Sequence, residues 1–150
     1  MKIIFPISQS YISILKVSRY LGGMRSAEIT ERYIVANLDH WAKHGFGLWA
    51  LSTKGSEFVG RAGIRHIVVE TNEVEIVYAL KRACWGQGFA SEIVAALVKR
   101  WMARLPFPSL IGLASVGNGA SRHVLEKSGF VFERGAVYRG EEVVIYRRTR

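Results

Sequence analysis

The sequence predicts an α+β fold in which helices flank a mixed, mostly antiparallel sheet. The first observation is that three β-rich segments follow one another with only short turns between them: residues 46–52, 58–69 and 74–80. Consecutive strands of this kind usually pair antiparallel. The second observation is a long helical segment, 91–105, between the third strand and a further β-rich segment at 109–116. This order predicts two parallel strands joined by a right-handed crossover.

Local signals predict the remaining elements. Ser26 can cap a helix that Gly45 ends, and apolar residues recur within it at helical spacing. The crossover helix carries Ile93, Leu97 and Trp101 on one face, and Pro106 ends it. The other predicted elements are a short edge strand at 3–5, a helix or strand at 11–17, a hairpin turn at 53–57, a short helix at 118–127, and a closing hairpin of 130–138 and 142–147.

Composition favours one soluble, cytoplasmic domain spanning residues 1–150. The length of 150 residues suits a single domain, and 49% hydrophobic with 22% charged residues is typical of a globular protein. No apolar run approaches the roughly 20 residues of a membrane span, so no membrane interaction is expected. Pro6 interrupts the apolar start, which disfavours a signal peptide. The single cysteine, Cys84, excludes an internal disulfide and fits a reducing compartment.

The net charge of +9 lies mostly after Glu75. A basic half of this kind suits an anionic ligand, either a phosphorylated cofactor or nucleic acid. No aromatic and basic RNA motif accompanies the charge, so nucleic acid is the less favoured partner.

Residues 85–90, Trp-Gly-Gln-Gly-Phe-Ala, join the third strand to the crossover helix. A glycine turn at a helix start directs backbone N–H groups and the helix dipole towards one point, which suits a phosphate. The alternative is a tight turn whose glycines only permit close packing. Phe89 and Ala90 follow Gly88 where a P-loop has lysine and a hydroxyl residue, which disfavours an NTPase. No acidic residue occurs between Glu92 and Glu126, so a dinucleotide site is weakly supported.

A second motif follows some thirty residues later, with Asn118, Ser121 and then Leu-Glu-Lys-Ser-Gly-Phe at 125–130. Together with Glu-Ile-Val-Tyr at 75–78 and the turn at 85–90, it resembles the GNAT superfamily of N-acetyltransferases, specifically the RimJ/RimL branch. The resemblance runs from about Ser18 to the C-terminus. That branch usually opens with a longer unit of strand and helix. The segment 1–17 is shorter than this unit and atypical, as a truncated segment would be. The resemblance implies a GNAT fold, whose central sheet has about six to seven strands and a splayed parallel pair.

The resemblance also implies a site for acetyl-CoA and no metal. The pyrophosphate would lie on the backbone N–H groups of 87–90, and the pantetheine arm would run beside 78–80 like an added strand. Asn118 would bond the amides of that arm, and the N–H near Val77 would polarise the thioester carbonyl. The implied cofactor-binding residues are Val77, Tyr78, Ala79, Leu80, Trp85, Gly86, Gln87, Gly88, Phe89, Ala90, Ser91, Asn118 and Ser121. Arg82 is a further candidate for the CoA phosphates.

Acetyl transfer to an amine requires a base for the ammonium and a proton for the leaving thiolate. Glu75 is the candidate base, acting directly or through a water, and Glu73 is the fallback on the same face. Much of the family places a tyrosine seven residues after the asparagine, but Leu125 stands there, so Ser121 is the candidate acid and Tyr138 the alternative. For the carboxylates, the competing interpretations are solvated side chains of a strand or neutralisation of nearby arginines. For Ser121 they are a hydroxyl on the helix surface or one bonded within the first helical turn.

The predicted function is acetyl-CoA-dependent transfer of acetyl to a primary amine by direct attack in a ternary complex. The acceptor would be a protein N-terminus or a small amine. The alternatives are a non-catalytic module that binds CoA or a nucleotide, and a small basic RNA- or ribosome-associated protein. Residues 1–17 either complete the sheet or pair with a second subunit in a homodimer. Cys84 is interpreted as a packed thiol, and His40 with His44 as a solvated helix face rather than a metal site.

Overall fold

The structure is a computed structural model that describes residues 27–68 and 71–150. The predicted elements at 3–5 and 11–17, the Ser26 cap and the departure at 1–17 lie outside the described residues. The helices are α1 (Ala27–His44), α2 (Phe89–Arg104) and α3 (Gly119–Lys127). The strands are β1 (Leu48–Ser52), β2 (Phe58–Val68), β3 (Glu73–Leu80), β4 (Ser109–Ser115), β5 (Val131–Tyr138) and β6 (Glu141–Thr149).

The strands form one six-stranded sheet in the order β1-β2-β3-β4-β6-β5. β3 pairs with β4 in parallel, whereas β1 with β2, β4 with β6 and β5 with β6 pair antiparallel. The predicted mixed, mostly antiparallel α+β architecture is therefore confirmed. Among the described elements, a 3₁₀ turn at Arg82–Cys84, in which Cys84 is buried, was not predicted. No helix of the described residues is long and apolar enough to cross a membrane.

The chain divides into two compact units, and both β2 and β3 contribute residues to each. The first contains α1, β1, β2 up to Gly63, and Tyr78–Gln87. Within it, the Asn37 amide donates to the Leu48 carbonyl at 3.1 Å and accepts from the Leu48 N–H at 2.9 Å. The indole of Trp41 donates to the same carbonyl at 3.1 Å. These side-chain bonds attach α1 to the start of β1.

β1 and β2 approach most closely at Gly63, where no side chain fits. A Cβ there would lie 2.1 Å from the Gly47 oxygen and 2.7 Å from the Leu48 Cα, so the backbone would have to move. We expect Gly63→Ala to lower the free energy of unfolding by about 3 kcal/mol, as overpacking does. Urea denaturation measures this change. Gly55→Ala is the matched control, because its nearest neighbour is the Thr53 hydroxyl at 3.7 Å. An equal loss in both variants would contradict the close approach.

The second unit contains Ile64–Val77 and Gly88–Arg150. Ile93, Leu97 and Trp101 are fully buried, which confirms the predicted apolar face of the crossover helix. The Trp101 indole also donates to the Phe107 carbonyl at 3.0 Å. Helix α3 packs on β4 through Leu125, since a Cβ on Gly112 would lie only 2.6 Å from the Leu125 side chain. A glycine in β4 therefore lets α3 lie close against the sheet.

Candidate active site

The parallel pairing of β3 with β4 is short. Among the described residues they pair only at Glu75 with Ile111 and at Ile76 with Gly112, although β4 continues to Ser115. The opposite edge of β4 remains paired with β6 as far as Ser115 with Val143. Among the described residues, no strand is paired with β4 after Gly112 on the edge opposite β6. A peptide-like chain can satisfy backbone groups exposed in this way.

Gly88 is the N-cap residue of helix α2 and has a left-handed backbone conformation, with φ +81°. No described side chain caps the helix. Gly86, two residues earlier, has φ +72°. A Cβ added to either glycine would meet no described atom within 4 Å. The N–H groups of the first helical turn, which include those of Phe89, Ala90 and Ser91, have no acceptor within the helix itself. A helix start that no described side chain caps fits a pyrophosphate.

The residues just before this turn hold one another in place. The Trp85 indole donates to the Leu80 carbonyl at 3.0 Å, and the Gln87 amide donates to the Ala83 carbonyl at 2.8 Å. Trp85 is nevertheless 63% exposed, and the Arg82 guanidinium lies 6.0 Å from the centre of its ring. The structure therefore presents a fixed aromatic ring and a cation beside the glycine turn.

Asn118 is the N-cap of α3, and Ser121 lies in the first turn of that helix. The Asn118 Oδ1 accepts the Ser121 N–H at 3.0 Å, which leaves the Nδ2 hydrogens as the groups that this amide can offer to a ligand. The predicted amide and hydroxyl at the start of the short helix are therefore close together. Ser121 is half-buried, and Asn118 is exposed.

Two substitutions separate the capping role of Asn118 from ligand binding. Asn118→Asp keeps an oxygen for the cap but loses the N–H donors, whereas Asn118→Ala loses both. We expect only the alanine variant to lose about 1 kcal/mol of stability, measured by thermal unfolding. Both variants should weaken CoA binding, about tenfold for the lost hydrogen bond. CoA affinity in the aspartate variant equal to that of the unmodified protein would limit Asn118 to capping.

Both predicted carboxylates lie in ion pairs. Glu75 is 4% exposed, and its Oε1 accepts from the Arg65 Nε at 2.8 Å. Glu73 is partly exposed and bonds the Arg147 guanidinium at 2.9 Å. Sequence reasoning considered that these carboxylates neutralise arginines but did not identify the partners. The sequence does have a signal for Arg65. Arg65 and Glu75 lie about equally far from the turn near Thr71, so antiparallel pairing of the two strands would place them opposite each other.

Arg147 connects several strands of the second unit. It also donates to the Ser109 hydroxyl at 2.7 Å and to Glu133 at 3.0 Å. Partial burial lowers the pKa of the Arg147 guanidinium, but the hydrogen bonds to Glu133 and Glu73 outweigh this effect and the pKa is raised. Arg147 therefore stays charged and keeps Glu73 neutralised.

Tyr138 lies next to the tip of the closing hairpin, opposite Glu141 in the β5–β6 register. Because Val143 of β6 pairs with Ser115, the last residue of β4, the tip of this hairpin lies at the same end of the strands as the C-terminal end of β4. Strand β6 stands between β4 and β5, so Tyr138 is displaced sideways from the end of β4 by about 10 Å, twice the strand spacing. Ser121, the other candidate acid, lies in the first turn of the helix that follows β4, so it is closer than Tyr138 to the end of β4 along the chain.

His40 and His44 lie one helical turn apart on α1, with ring centres separated by 4.6 Å. The His40 Nδ1 lies 2.7 Å from the Phe46 carbonyl oxygen and makes a hydrogen bond with it. Both imidazoles also contact the Phe46 ring. These contacts show a role for the pair in joining the end of α1 to the segment that follows it.

Comparison with known proteins identifies the family. Residues 9–131 match the family model of the acetyltransferase (GNAT) domain. Since the match extends over most of the chain, the protein belongs to the GNAT acetyltransferase family. A curated relative, the uncharacterized protein YkkB of Bacillus subtilis (strain 168), is 28% identical over 134 residues, which cover 88% of this chain and 78% of YkkB.

Solved structures support the same fold. RimL, a ribosomal L7/L12 alpha-N-protein acetyltransferase in complex with coenzyme A, is 21% identical with a TM-score of 0.71, over 99% of this chain and 98% of RimL. A spermidine N-acetyltransferase SpeG chimera from Vibrio cholerae and hSSAT is 13% identical with a TM-score of 0.80, over 99% and 96% of the two chains. Because structures of both kinds match, the likeness shows the shared fold and does not select the RimJ/RimL branch.

Proposed function

We propose that the protein transfers the acetyl group of acetyl-CoA to a primary amine, by direct attack of the amine in a ternary complex. The observation that carries this proposal is that, among the described residues, β4 has no paired strand beyond Gly112 on the edge opposite β6, and that Asn118 caps the helix that follows this strand. An unpaired strand edge that ends at amide and hydroxyl groups suits the peptide-like arm of CoA. Membership of the GNAT family supports the same reaction class.

The chain has groups that fit each part of acetyl-CoA. The pyrophosphate would be held by the N–H groups of residues 87–90, since no described side chain caps the helix that begins after Gly88. The pantetheine arm would lie along residues 78–80, and the Asn118 Nδ2 would donate to it. When bound, acetyl-CoA supplies the activated acetyl group. The Val77 N–H would stabilise the negative charge that develops on the carbonyl oxygen.

Glu75 would accept a proton from the acceptor ammonium. Its carboxylate is almost fully buried and already bonded by Arg65, so the proton would reach it through a water rather than by direct contact with the amine. Arg65 keeps the buried carboxylate paired and oriented. Ser121 would donate a proton to the departing thiolate from the first turn of α3, and would regain one from the proton that the attacking nitrogen loses.

The acceptor that fits the charge distribution best is the α-amine of a protein or peptide. A polyamine carries several positive charges, and this chain carries +9. Glu73 and Glu75 are both paired with arginines, which reduces their capacity to attract a second cation. The similar structures include a ribosomal-protein acetyltransferase and a spermidine acetyltransferase, so both acceptor classes belong in the test.

Release of CoA thiol from acetyl-CoA, measured with a panel of peptides and small amines, tests the proposal. We expect turnover with peptides that have a free N-terminus, little with N-acetylated copies of the same peptides, and less with spermidine. Binding of acetyl-CoA without turnover on any acceptor would favour a non-catalytic module. No binding of acetyl-CoA, together with RNA binding that weakens steeply with salt, would favour the basic RNA-associated alternative.

A further inference from the structure

The hydroxyl of Tyr146 joins two charged residues of α3 to the sheet. Tyr146 is 1% exposed, and its hydroxyl donates to the Glu126 Oε1 at 2.7 Å and accepts from the Arg122 Nε at 3.2 Å. We propose that Arg122, Glu126 and Tyr146 are positioning residues that hold the turn at residues 116–121 in its ligand-binding geometry. This inference rests on the proposed function, because it assigns to that turn a part in binding CoA.

The hydrogen-bond network of Arg122, Glu126 and Tyr146 attaches α3 to β6, in addition to the contact of Leu125 with β4. Arg122 and Glu126 are four residues apart, so they lie one turn apart on the same face of the helix. Tyr146 of β6 pairs with Gly112 of β4, and the latter is the residue against which Leu125 packs. The apolar contact of Leu125 sets the distance of α3 from the sheet. The hydrogen bonds of Tyr146 set the rotation of the helix about its own axis.

Arg122 extends this control to the turn itself. Its guanidinium also donates to the Val116 carbonyl at 3.3 Å, and its backbone N–H donates to the Asn118 carbonyl at 3.1 Å. The Asn118 side chain in turn accepts the Ser121 N–H. Both ends of the turn are therefore attached to the helix that the network holds. The hydrogen bond to Tyr146 and the electrostatic attraction of that residue raise the pKa of Arg122, so its charge persists throughout the working range of pH.

A hydrogen-bonded turn of this kind matters for ligand binding because binding groups must be held to within about 0.5 Å of their working position. The Asn118 amide is exposed, and it gains its direction only from the cap that it makes with α3. A shift of α3 along or around its axis would move the Nδ2 donors of Asn118 and the hydroxyl of Ser121 together. The fold could survive such a shift, since Leu125 would still be buried.

Arg150 provides a matched control within the same unit. Its guanidinium also joins separate segments by donating to backbone carbonyls, those of Phe107 at 3.0 Å, Met102 at 3.1 Å and Trp101 at 3.2 Å. These carbonyls lie around the segment that leads into the start of β4, whereas Asn118 follows the end of β4. Loss of Arg150 therefore removes a comparable set of bonds at the opposite end of the same strand.

The experiment compares Tyr146→Phe with Arg150→Gln in the full chain. CoA affinity is measured by titration calorimetry, amide hydrogen exchange over residues 116–121 by mass spectrometry, and melting temperature by calorimetry. We expect Tyr146→Phe to bind CoA about tenfold more weakly and to exchange the turn amides about tenfold faster. Arg150→Gln should lower the melting temperature to a similar degree and leave both other quantities unchanged.

Arg122→Lys is the second variant, because it keeps the positive charge on a half-buried residue and loses the planar fork that reaches two acceptors. It should reproduce the faster exchange and weaker CoA binding even if Tyr146→Phe does not fold. CoA affinity and exchange equal to those of the unmodified protein, in whichever variant folds, would overturn the positioning role. If the unmodified protein binds no CoA, the proposed function fails, whereas hydrogen exchange alone still decides whether the network holds the turn.

Discussion

Gly88→Val is expected to weaken the binding of CoA about 100-fold, or about 2.7 kcal/mol. Gly88 has φ +81°, a conformation that a β-branched residue strongly disfavours, so the turn would shift away from its present shape. The N–H groups at the start of α2 would then no longer converge on one point. A valine side chain would also occupy the open space in front of the turn, where the pyrophosphate is proposed to lie. Titration calorimetry with CoA measures the change.

Gly45→Val is the control for backbone strain. Gly45 follows α1 with φ +73°, and a Cβ there would also meet no described atom within 4 Å. Valine should therefore cost a similar amount of stability, about 1–2 kcal/mol, at a position with no proposed ligand. We expect unchanged CoA affinity in this variant. A Gly88→Val protein that binds CoA as tightly as Gly45→Val would remove the turn from the proposed cofactor site.

Glu75→Gln is expected to lower kcat about 100- to 1000-fold, the usual contribution of a positioned general base. The effect should be largest at low pH, where few acceptor amines are already neutral and the base has most to contribute. Glutamine keeps the size of the side chain and can still face Arg65, so the fold is expected to survive. Rates of CoA thiol release across a range of pH, with a saturating peptide acceptor, measure the effect.

Two further variants separate the base from its ion pair. Glu73→Gln removes a second carboxylate from the same strand that is also paired with an arginine, so it should change kcat little if Glu75 is the base. Arg65→Gln leaves the Glu75 carboxylate in place but removes its partner, and should lower kcat less than Glu75→Gln does. An unchanged pH–rate profile in Glu75→Gln would exclude it as the base, and a large loss in Glu73→Gln would transfer the role to that residue.

The described elements were largely predictable because their signals are local. The crossover helix has its apolar residues on one face and a proline just beyond its end, and both features act within a few residues. The parallel pairing of β3 with β4 followed from the order strand, helix, strand, which requires a crossover connection. The 3₁₀ turn at Arg82–Cys84 was missed because a single turn leaves no periodic pattern.

The candidate site was predictable in its motifs but not in its partners. The glycine turn at 85–90 and the pair Asn118 and Ser121 could be predicted because each motif lies at the start of a helix that local sequence signals define. The ion pairs of Glu75 with Arg65 and of Glu73 with Arg147 depend on which strands are neighbours. The role of Tyr146 depends on the insertion of β6 between β4 and β5, for which the sequence has no local signal.

By itself, the sequence determined the order of the described elements, the separate strand, turn and helix that form the proposed cofactor site, and the resemblance to the GNAT family that the comparison confirmed. Only the tertiary structure decided which arginines pair with the two candidate bases, and that the Tyr146 hydroxyl bonds Glu126 of α3. The physical reason is the range of the interactions. Helix caps and glycine turns act between near neighbours in the chain, whereas strand order and side-chain ion pairs join residues far apart in sequence and exist only once the sheet has formed.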